Sequence, residues 1–557
     1  MNIKSIGKHM IPVILTLHTI LLGASFGNGT IPKATTIIQQ DSLLGSQGDY
    51  ESQVTEGFAY ISAGKMELGV KKLLEGFRRK NLQDKGDRVA EISNVEFLAI
   101  LNILNSSKLK DEEKLLGYQF VKEATANNFS KGEEYLNKYL TKNPKSVFGL
   151  RLKFLYLLNK PNPGNLEEYA DKLLQLDSSI VSVNLFKGRL YGIQGKFTQS
   201  LKYLSRAIRH APTYALAHYL RGIVFEELQR DEEALSDYNQ AIELYPDYFD
   251  AYNNRGNIKS KLNKDKEALT DYKKATEIKP EADWPYSNIA LVYKKLNMTD
   301  SALFYLQQAL DINPRNAMAY VNKGDIYLRQ QDYGSAISNF TKSINIDPDN
   351  KSAYIWRGDA YFFNQKDEQA IQDYEKVLEL DDKNSYALMR LGDCSYRKKD
   401  YQNAIDYYEK SVKLYPKNLY LLVSEGLCYN QLGKNVQAKE TLLKAVALDS
   451  TSSPALGNLG WVYYCLGDYE KCILYSKRAI SHQADAFYAM FNIAISTLRL
   501  GKYEESVELY KKYIALSKAS AKENLDGAIA DLKDLIKQNV LVKESTYIIE
   551  NVFERKE

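Results

Sequence analysis

The chain has 557 residues, 44% of them hydrophobic, with 74 Lys and Arg against 70 Asp and Glu for a formal net charge of +4. No run of five like charges occurs, so there is no basic stripe to neutralise the phosphates of a nucleic acid. Such a length suggests several domains, unless a repeat lets one architecture extend without limit.

Residues 1–27 read as an export signal. Lys4 and Lys8 precede an apolar run from Met10 to Leu22, which meets Gly23, Ala24 and Ser25. The run is shorter than the roughly 20 apolar residues that span a bilayer, and His18 interrupts it. Cleavage near Ser25 or Gly27 is expected, with an uncleaved anchor as the alternative. No cysteine near the end of the run offers a lipid attachment point, and no later stretch is apolar enough to cross a membrane. The mature chain is expected to be exported, either periplasmic or secreted. Residues 28–48 read as a flexible linker.

Residues 49–180 read as a degenerate helical region. Gly57, Tyr60, Gly69 and Leu73 form one weak pattern, and Gly132, Leu136, Tyr139 and Pro144 another. Asp84 to Asp111 is helical in pattern but out of register with them.

From 181 to 520 the same residues return every 34 positions through ten units. One column holds Gly188, Gly222, Gly256, Ala290, Gly324, Gly358, Gly392, Gly426, Gly460 and Ala494. A second runs from Ser200 through Ala234 and Ala268 to Cys472 and Ser506, and a third from Ala207 through Ala241 to Ala479 and Tyr513. Apolar residues recur at three- and four-residue steps on both sides of a polar break, as Arg397 to Asp400 in one unit, so each unit is a pair of amphipathic helices. Glycine inside a helix costs about 1 kcal/mol relative to alanine. Its return therefore needs a close approach, expected to be that of the second helix, with bulky residues such as Tyr408 filling gaps between units. Pro212, Pro246, Pro280, Pro314, Pro348 and Pro416 end the second helices.

These residues resemble the tetratricopeptide repeat (TPR). The unit from Ala215 to Tyr248 carries Gly222, Phe225, Ala234, Tyr238, Ala241 and Pro246 in the family's places. The unit from Ala317 to Asn350 carries Tyr320, Gly324, Tyr327, Ala336, Phe340 and Pro348. The resemblance is strong from about Val181 to Leu516 and implies an all-α fold, a right-handed α-solenoid of stacked helix-turn-helix units. Residues 521–557 add a capping helix and tail. The stretch Lys522 to Gln538 places Leu525, Ile529, Leu532 and Ile536 on one face, suited to covering the last unit.

The resemblance also implies that first helices line a concave groove. The positions carried over are polar in the N-terminal half, with Arg189, Glu226, Asp250, Asn253, Asn257, Lys261, Lys295, Asp325 and Arg329. In the C-terminal half they are aromatic: Phe362, Phe363, Tyr386, Tyr396, Tyr420, Trp461, Tyr464, Tyr488 and Phe491. Rigid rings give large contact area at low entropic cost, which suits a binding surface, although rings can also pack between units. Asn254, Asn288, Asn322, Asn458 and Asn492 share one repeat position, broken at Trp356, Arg390 and Ser424. In some members of the family such a ladder holds an extended peptide backbone; asparagine is also common there in the general pattern. The family's carboxylate clamp is not reproduced, because Asn253, Met318 and Asn322 stand where its basic residues belong.

No catalytic constellation emerges. The histidines His9, His18, His210, His218 and His482 form no metal-ligand spacing, and no phosphate-binding loop or nucleophile elbow occurs. No cofactor is expected. Cys394 and Cys428 lie one repeat apart, too far for a disulfide, whereas a Cys465–Cys472 bridge across a turn is conceivable. The expected function is a non-enzymatic scaffold or adaptor capturing a protein or peptide in the groove, in a cell-envelope setting. A glycan-binding solenoid using the aromatic half is the alternative, and a structural spacer or self-associating array a third.

Overall fold

The computed structural model describes residues 56–57, 59–61, 65–80, 96–97, 99–106, 109–125, 129–160, 164–516 and 522–553. The export signal (1–27) and linker (28–48) read from the sequence lie outside the described residues. Regular structure among the described residues is helical, and the chain divides into two compact units, one up to Ile312 and one from Asn313.

The first unit begins with the helices Met66–Lys80, Asp111–Thr125, Phe129–Lys142, Val147–Leu158 and Leu166–Leu176. Buried Glu96 receives both ends of the Arg151 guanidinium at 2.6 and 2.9 Å and the hydroxyl of Ser182. Regular pairs follow, each with a first helix A and a second helix B: Val181–Ile193 with Phe197–His210, Ala215–Glu227 with Asp231–Leu244, Phe249–Lys261 with Asp265–Ile278, and Asp283–Lys295 with Thr299–Ile312.

The second unit continues with A helices Ala317–Arg329, Lys351–Phe363, Ser385–Arg397, Leu419–Gln431, Ser453–Cys465 and Phe487–Arg499. Their B helices are Tyr333–Ile346, Asp367–Leu380, Tyr401–Leu414, Asn435–Leu448, Tyr469–His482 and Tyr503–Leu516.

Local chemistry sets the boundaries. Asn316, Asn350, Asn384 and Asn418 each cap helix A by accepting the backbone N–H three residues on, at 2.8–3.3 Å. Asp332, Asp400 and Asp468 do the same for helix B. Such caps are worth about 1 kcal/mol each. Helix A ends where one residue enters the left-handed region: Gln229, Asn263, Asn297, Gln331, Gln365 and Lys399 in six repeats, Gly195, Gly433, Gly467 and Gly501 in four.

The small columns face inward. Ala234, Ala268, Ala302, Ala336, Ala370, Ala404 and Ala438 are fully buried, as are Ala207, Ala241, Ala275, Ala309, Ala445 and Ala479. Where serine replaces alanine in the second column its hydroxyl is used: Ser200 donates to Gly188 O at 2.6 Å and Ser506 to Ala494 O at 2.8 Å. Tyr408 packs between repeats as expected, in a cluster with Leu421 and Cys428 of the next one. Its ring also lies on Gly392 of its own repeat, where a Cβ would sit 2.5 Å from Cε1. Gly222, Gly256, Gly324 and Gly358 meet Tyr238, Tyr272, Phe340 and Tyr374 in the same way. The glycine makes room for a ring from helix B, and burying such a ring contributes roughly 1.5–3 kcal/mol.

The C-terminal helix Lys522–Lys537 lays Ala528, Ile529, Leu532 and Leu535 into a cluster with Phe491, Ile495 and Leu498 of the last helix A. A π-helical turn at Ile548–Val552 and Phe553 completes it, with Phe553 5.7 Å from the ring of Tyr510. All four cysteines are free, so the Cys465–Cys472 bridge considered from spacing does not form. Burial pushes the thiols of Cys394 and Cys428 up to about 12.

Candidate functional site: the exposed faces of the first helices

In the second unit, successive A helices present one row of side chains to each other, and the row is organised around Arg390. Its Nε lies 3.1 Å from Asp359 and donates to the hydroxyl of Tyr386 at 3.0 Å, and its Nη1 reaches Asp393 at 3.3 Å. Tyr374 and Tyr386 donate to Asp359 at 2.6 and 2.7 Å, while Tyr408 and Tyr420 both donate to Asp393 at 2.8 Å. Burial pushes the Asp393 carboxyl up, and these hydroxyls and Arg390 oppose the shift. The guanidinium also lies 5.2 and 5.4 Å from the rings of Phe362 and Phe363, and Arg397 covers Phe362 at 3.8 Å.

Three rings of this row stay open to solvent: Trp356 at 37%, Phe363 at 48% and Tyr420 at 52% exposure. Phe363 is held between Tyr333, stacked at 6.5 Å, and Phe362 at 5.6 Å. Tyr420 is pinned by its hydroxyl. A surface whose rings are already ordered loses little rotamer entropy on binding. Met318 of the same unit is also exposed.

The residues singled out from the sequence divide into groups. Phe362, Tyr386 and Tyr420 belong to the Arg390 row, and Tyr396 is half-buried with its ring edge-on to Tyr401 at 5.5 Å. Trp461 and Tyr464 stack on each other at 4.9 Å and pack against the C-terminal cluster. Tyr488 lies over Gly457, with its hydroxyl 3.3 Å from Ser453.

Phe491 is corrected from a groove residue to a core residue. It is buried among Tyr510, Tyr513 and Phe553 because the C-terminal segment folds over it. Asn492 is buried too and donates to Gly457 O at 3.2 Å, and Asn322 is likewise buried. Asn458 is half-buried.

In the first unit the asparagines are again occupied. Asn288 donates to Asn253 at 3.0 Å and Asn257 at 3.2 Å, and Asn254 lies 3.4 Å from the hydroxyls of Tyr219 and Tyr238. Asn254, Asn288 and Asn492 are thus spent on neighbouring helices. Trp284, 43% exposed, stands on this unit's A face with exposed Leu291, its ring edge-on to Phe249 at 5.4 Å and under Lys279 at 5.7 Å. Sequence reasoning missed Trp284, and treated Trp356 only as a break in the ladder. The signal was present, since both occupy repeat positions shared with Tyr386 and Arg390.

Among the described residues no helix is long and apolar enough to cross a membrane. Models of the tetratricopeptide repeat match residues 187–249 and 357–418, 256–297 and 324–365, 237–270 and 305–338, and 285–316 and 453–485. No curated protein matches the chain. Among solved structures it is similar to the C-terminal part of a TPR repeat-containing protein from Cytophaga hutchinsonii, at 19% identity over 43% of this chain and 99% of that one, TM-score 0.37. It is also similar to Pseudomonas aeruginosa pilF, at 21% identity over 37% and 94%, TM-score 0.34. A third is YrrB, described as a TPR protein with an unusual peptide-binding site, at 21% identity over 33% and 95%, TM-score 0.30. At these values no property of those proteins transfers.

Proposed function

Because this chain is a tetratricopeptide-repeat protein over residues 187–418 and 453–485, we propose that it is a non-enzymatic scaffold capturing a polypeptide on the A-helix face of residues 351–431. The observation that carries this reading is the trio Trp356, Phe363 and Tyr420, all open to solvent, with Phe363 ordered by Arg390 and Tyr333 and Tyr420 by Asp393. Exposed rings on a rigid polar frame are the usual anchors of protein interfaces, each worth about 2 kcal/mol or more at the centre of a contact. The test is retention of a partner by the immobilised protein, compared with a Trp356→Ala/Phe363→Ala double variant of unchanged helix content. Loss of capture is expected, and undiminished capture removes the face from consideration.

Export to the cell envelope is part of the same proposal and rests on the charged and apolar pattern of residues 1–27. N-terminal sequencing of the native protein should find a start near Ser25 to Gly27; a start at Met1 argues against it. Open rings beside a carboxylate and guanidinium row could also stack on sugar rings. Retention on immobilised polysaccharide, abolished by the same double variant, would favour that second reading.

A further inference from the structure

In several repeats a basic side chain on helix A crosses to helix B of the preceding repeat. Lys187 reaches Asp171 at 2.8 Å, Arg255 reaches Asn239 at 2.7 Å and Arg357 reaches Thr341 at 3.1 Å, each sixteen positions earlier in the chain. Glu425 occupies the same place, sixteen positions after Glu409. This seam therefore sets carboxyl against carboxyl where the others set a cation against an acceptor. Glu425 is buried and makes no hydrogen bond or ion pair among the described residues. Glu409 accepts from Tyr429 at 2.8 Å through Oε1. The other titratable groups around the pair are Cys428 and Tyr429 on the helix of Glu425, Asp406 one turn before Glu409, and Lys444, an exposed residue of Asn435–Leu448. Burial pushes the Glu425 carboxyl up to about 7; Glu409 adds to this and Lys444 opposes it. A buried carboxylate that finds no donor takes up a proton instead.

The same seam carries part of the candidate site. Tyr420 stands on Leu419–Gln431 with Glu425 and donates to Asp393 of the preceding repeat. Tyr408, Leu421 and Cys428 close the apolar side of the contact. We propose that the seam between residues 385–418 and 419–452 is a proton-operated clasp. With Glu425 protonated, its hydroxyl donates to Glu409 and holds Leu419–Gln431 on Tyr401–Leu414. With both carboxylates charged, their repulsion loosens the seam and slackens the hydrogen bond from Tyr420 to Asp393, so the open ring loses its fixed place. As regulation of the face of residues 351–431 the clasp rests on the scaffold reading above; as a property of the seam it does not.

Two cysteines of the native full chain report on it. Cys394 and Cys428 are buried in the same place of successive repeats, and both thiols are pushed up to about 12. Leu391 packs with Cys394 and stands where Glu425 stands one repeat later, so that seam has no clasp. Alkylation by N-ethylmaleimide, resolved by mass spectrometry, gives the ratio of the Cys428 rate to the Cys394 rate, in which the common reagent chemistry cancels. The ratio should rise about tenfold from about pH 6 to about pH 8, because opening the seam releases one proton below the folded value of the carboxyl and none above it. Glu425→Gln, and Glu425→Leu, which copies Leu391, should hold the ratio flat. A ratio independent of pH in the parent, or the same rise in both variants, would overturn the proposal. A rising ratio alongside polypeptide capture that the Trp356→Ala/Phe363→Ala variant leaves undiminished would remove the scaffold reading alone. Capture lost in that variant alongside a flat ratio in the parent would remove the clasp alone.

Discussion

Arg357 closes two hydrogen bonds on Asp373 across its own repeat, Nε to Oδ2 at 2.8 Å and Nη2 to Oδ1 at 2.6 Å, and sends Nη1 back to Thr341 of the preceding repeat at 3.1 Å. Arg221 and Arg255 repeat the arrangement with Asp237 and Ser205, and with Asp271 and Asn239. One side chain thus joins three helices. The same two positions hold Leu391 and Tyr407, or Leu459 and Tyr475, in other repeats, where both residues join an apolar cluster.

Breaking the pair should cost more than replacing it. Asp373→Ala leaves the half-buried guanidinium of Arg357 without its carboxylate and should destabilise by about 2–3 kcal/mol. Arg357→Leu/Asp373→Tyr, which copies the apolar version, should recover most of that loss. Denaturant titration of the three variants measures the cycle; a double variant as weak as the single one refutes interchangeability.

Gly324 and Phe340 form the cleanest glycine–ring contact, because the ring carries no hydroxyl. A Cβ on Gly324 would lie 2.7 Å from Phe340 Cε1. Gly324→Ala should destabilise by about 1–3 kcal/mol through overpacking. Phe340→Leu should relieve it, since Ala290 and buried Leu306 occupy the equivalent positions one repeat earlier. The coupling energy from a double-mutant cycle decides, and simple additivity would reject the account.

The turn after helix A carries a second instruction. Gln365 sits at φ 57° and Gly467 at φ 80° in equivalent turns. A side chain in this region costs roughly 1–2 kcal/mol, partly offset by the extra unfolded-state freedom of glycine. Gln365→Gly should raise the thermal midpoint and Gly467→Ala lower it, by up to about 1 kcal/mol each. Shifts of the opposite sign would mean that side-chain contacts rule the turn.

Glu425 fills the position of Arg357, but with Thr441 in place of the aspartate. Burial pushes its carboxyl up to about 7; the charge of Glu409 adds to this and Lys444 opposes it. An unfolded glutamate titrates near 4.3. Below that value both states hold the proton and nothing is lost. Between the two values the unfolded chain ionises first, so stability falls as pH rises, by about 1.4 kcal/mol per unit, and levels off above the folded value. Asp531, also pushed up to about 7 by burial and Asp534, slopes the same way. The readout is therefore a difference: Glu425→Gln should gain stability over the parent near about pH 8 and not near about pH 4. A constant offset across that range would contradict the assignment.

Much of the architecture was readable because its cause is local and repeated. Small residues at fixed spacing, prolines beyond helix B and apolar steps at three and four residues each act within a few positions, and the repetition over ten units makes the pattern unmistakable. The apolar face of Lys522–Lys537 was legible for the same reason. The candidate site was only half readable. Tyr386 and Tyr420 lie where the repeat positions put them, but the fate of Phe491 depended on a tail some sixty residues away, at Phe553. In the asparagine ladder, Asn288 gave its hydrogen bond to the side chain of Asn253 and Asn492 to the backbone carbonyl of Gly457, both on neighbouring helices.

The sequence by itself determined that small residues recur inside helices and that the chain is built of stacked helix pairs, because periodicity records which face of a helix must be buried. Only the tertiary structure decided what fills the space over each glycine, which amides are already satisfied, and which rings remain open. Those outcomes depend on what neighbouring helices and the C-terminal segment bring into contact, and no one-dimensional spacing encodes that.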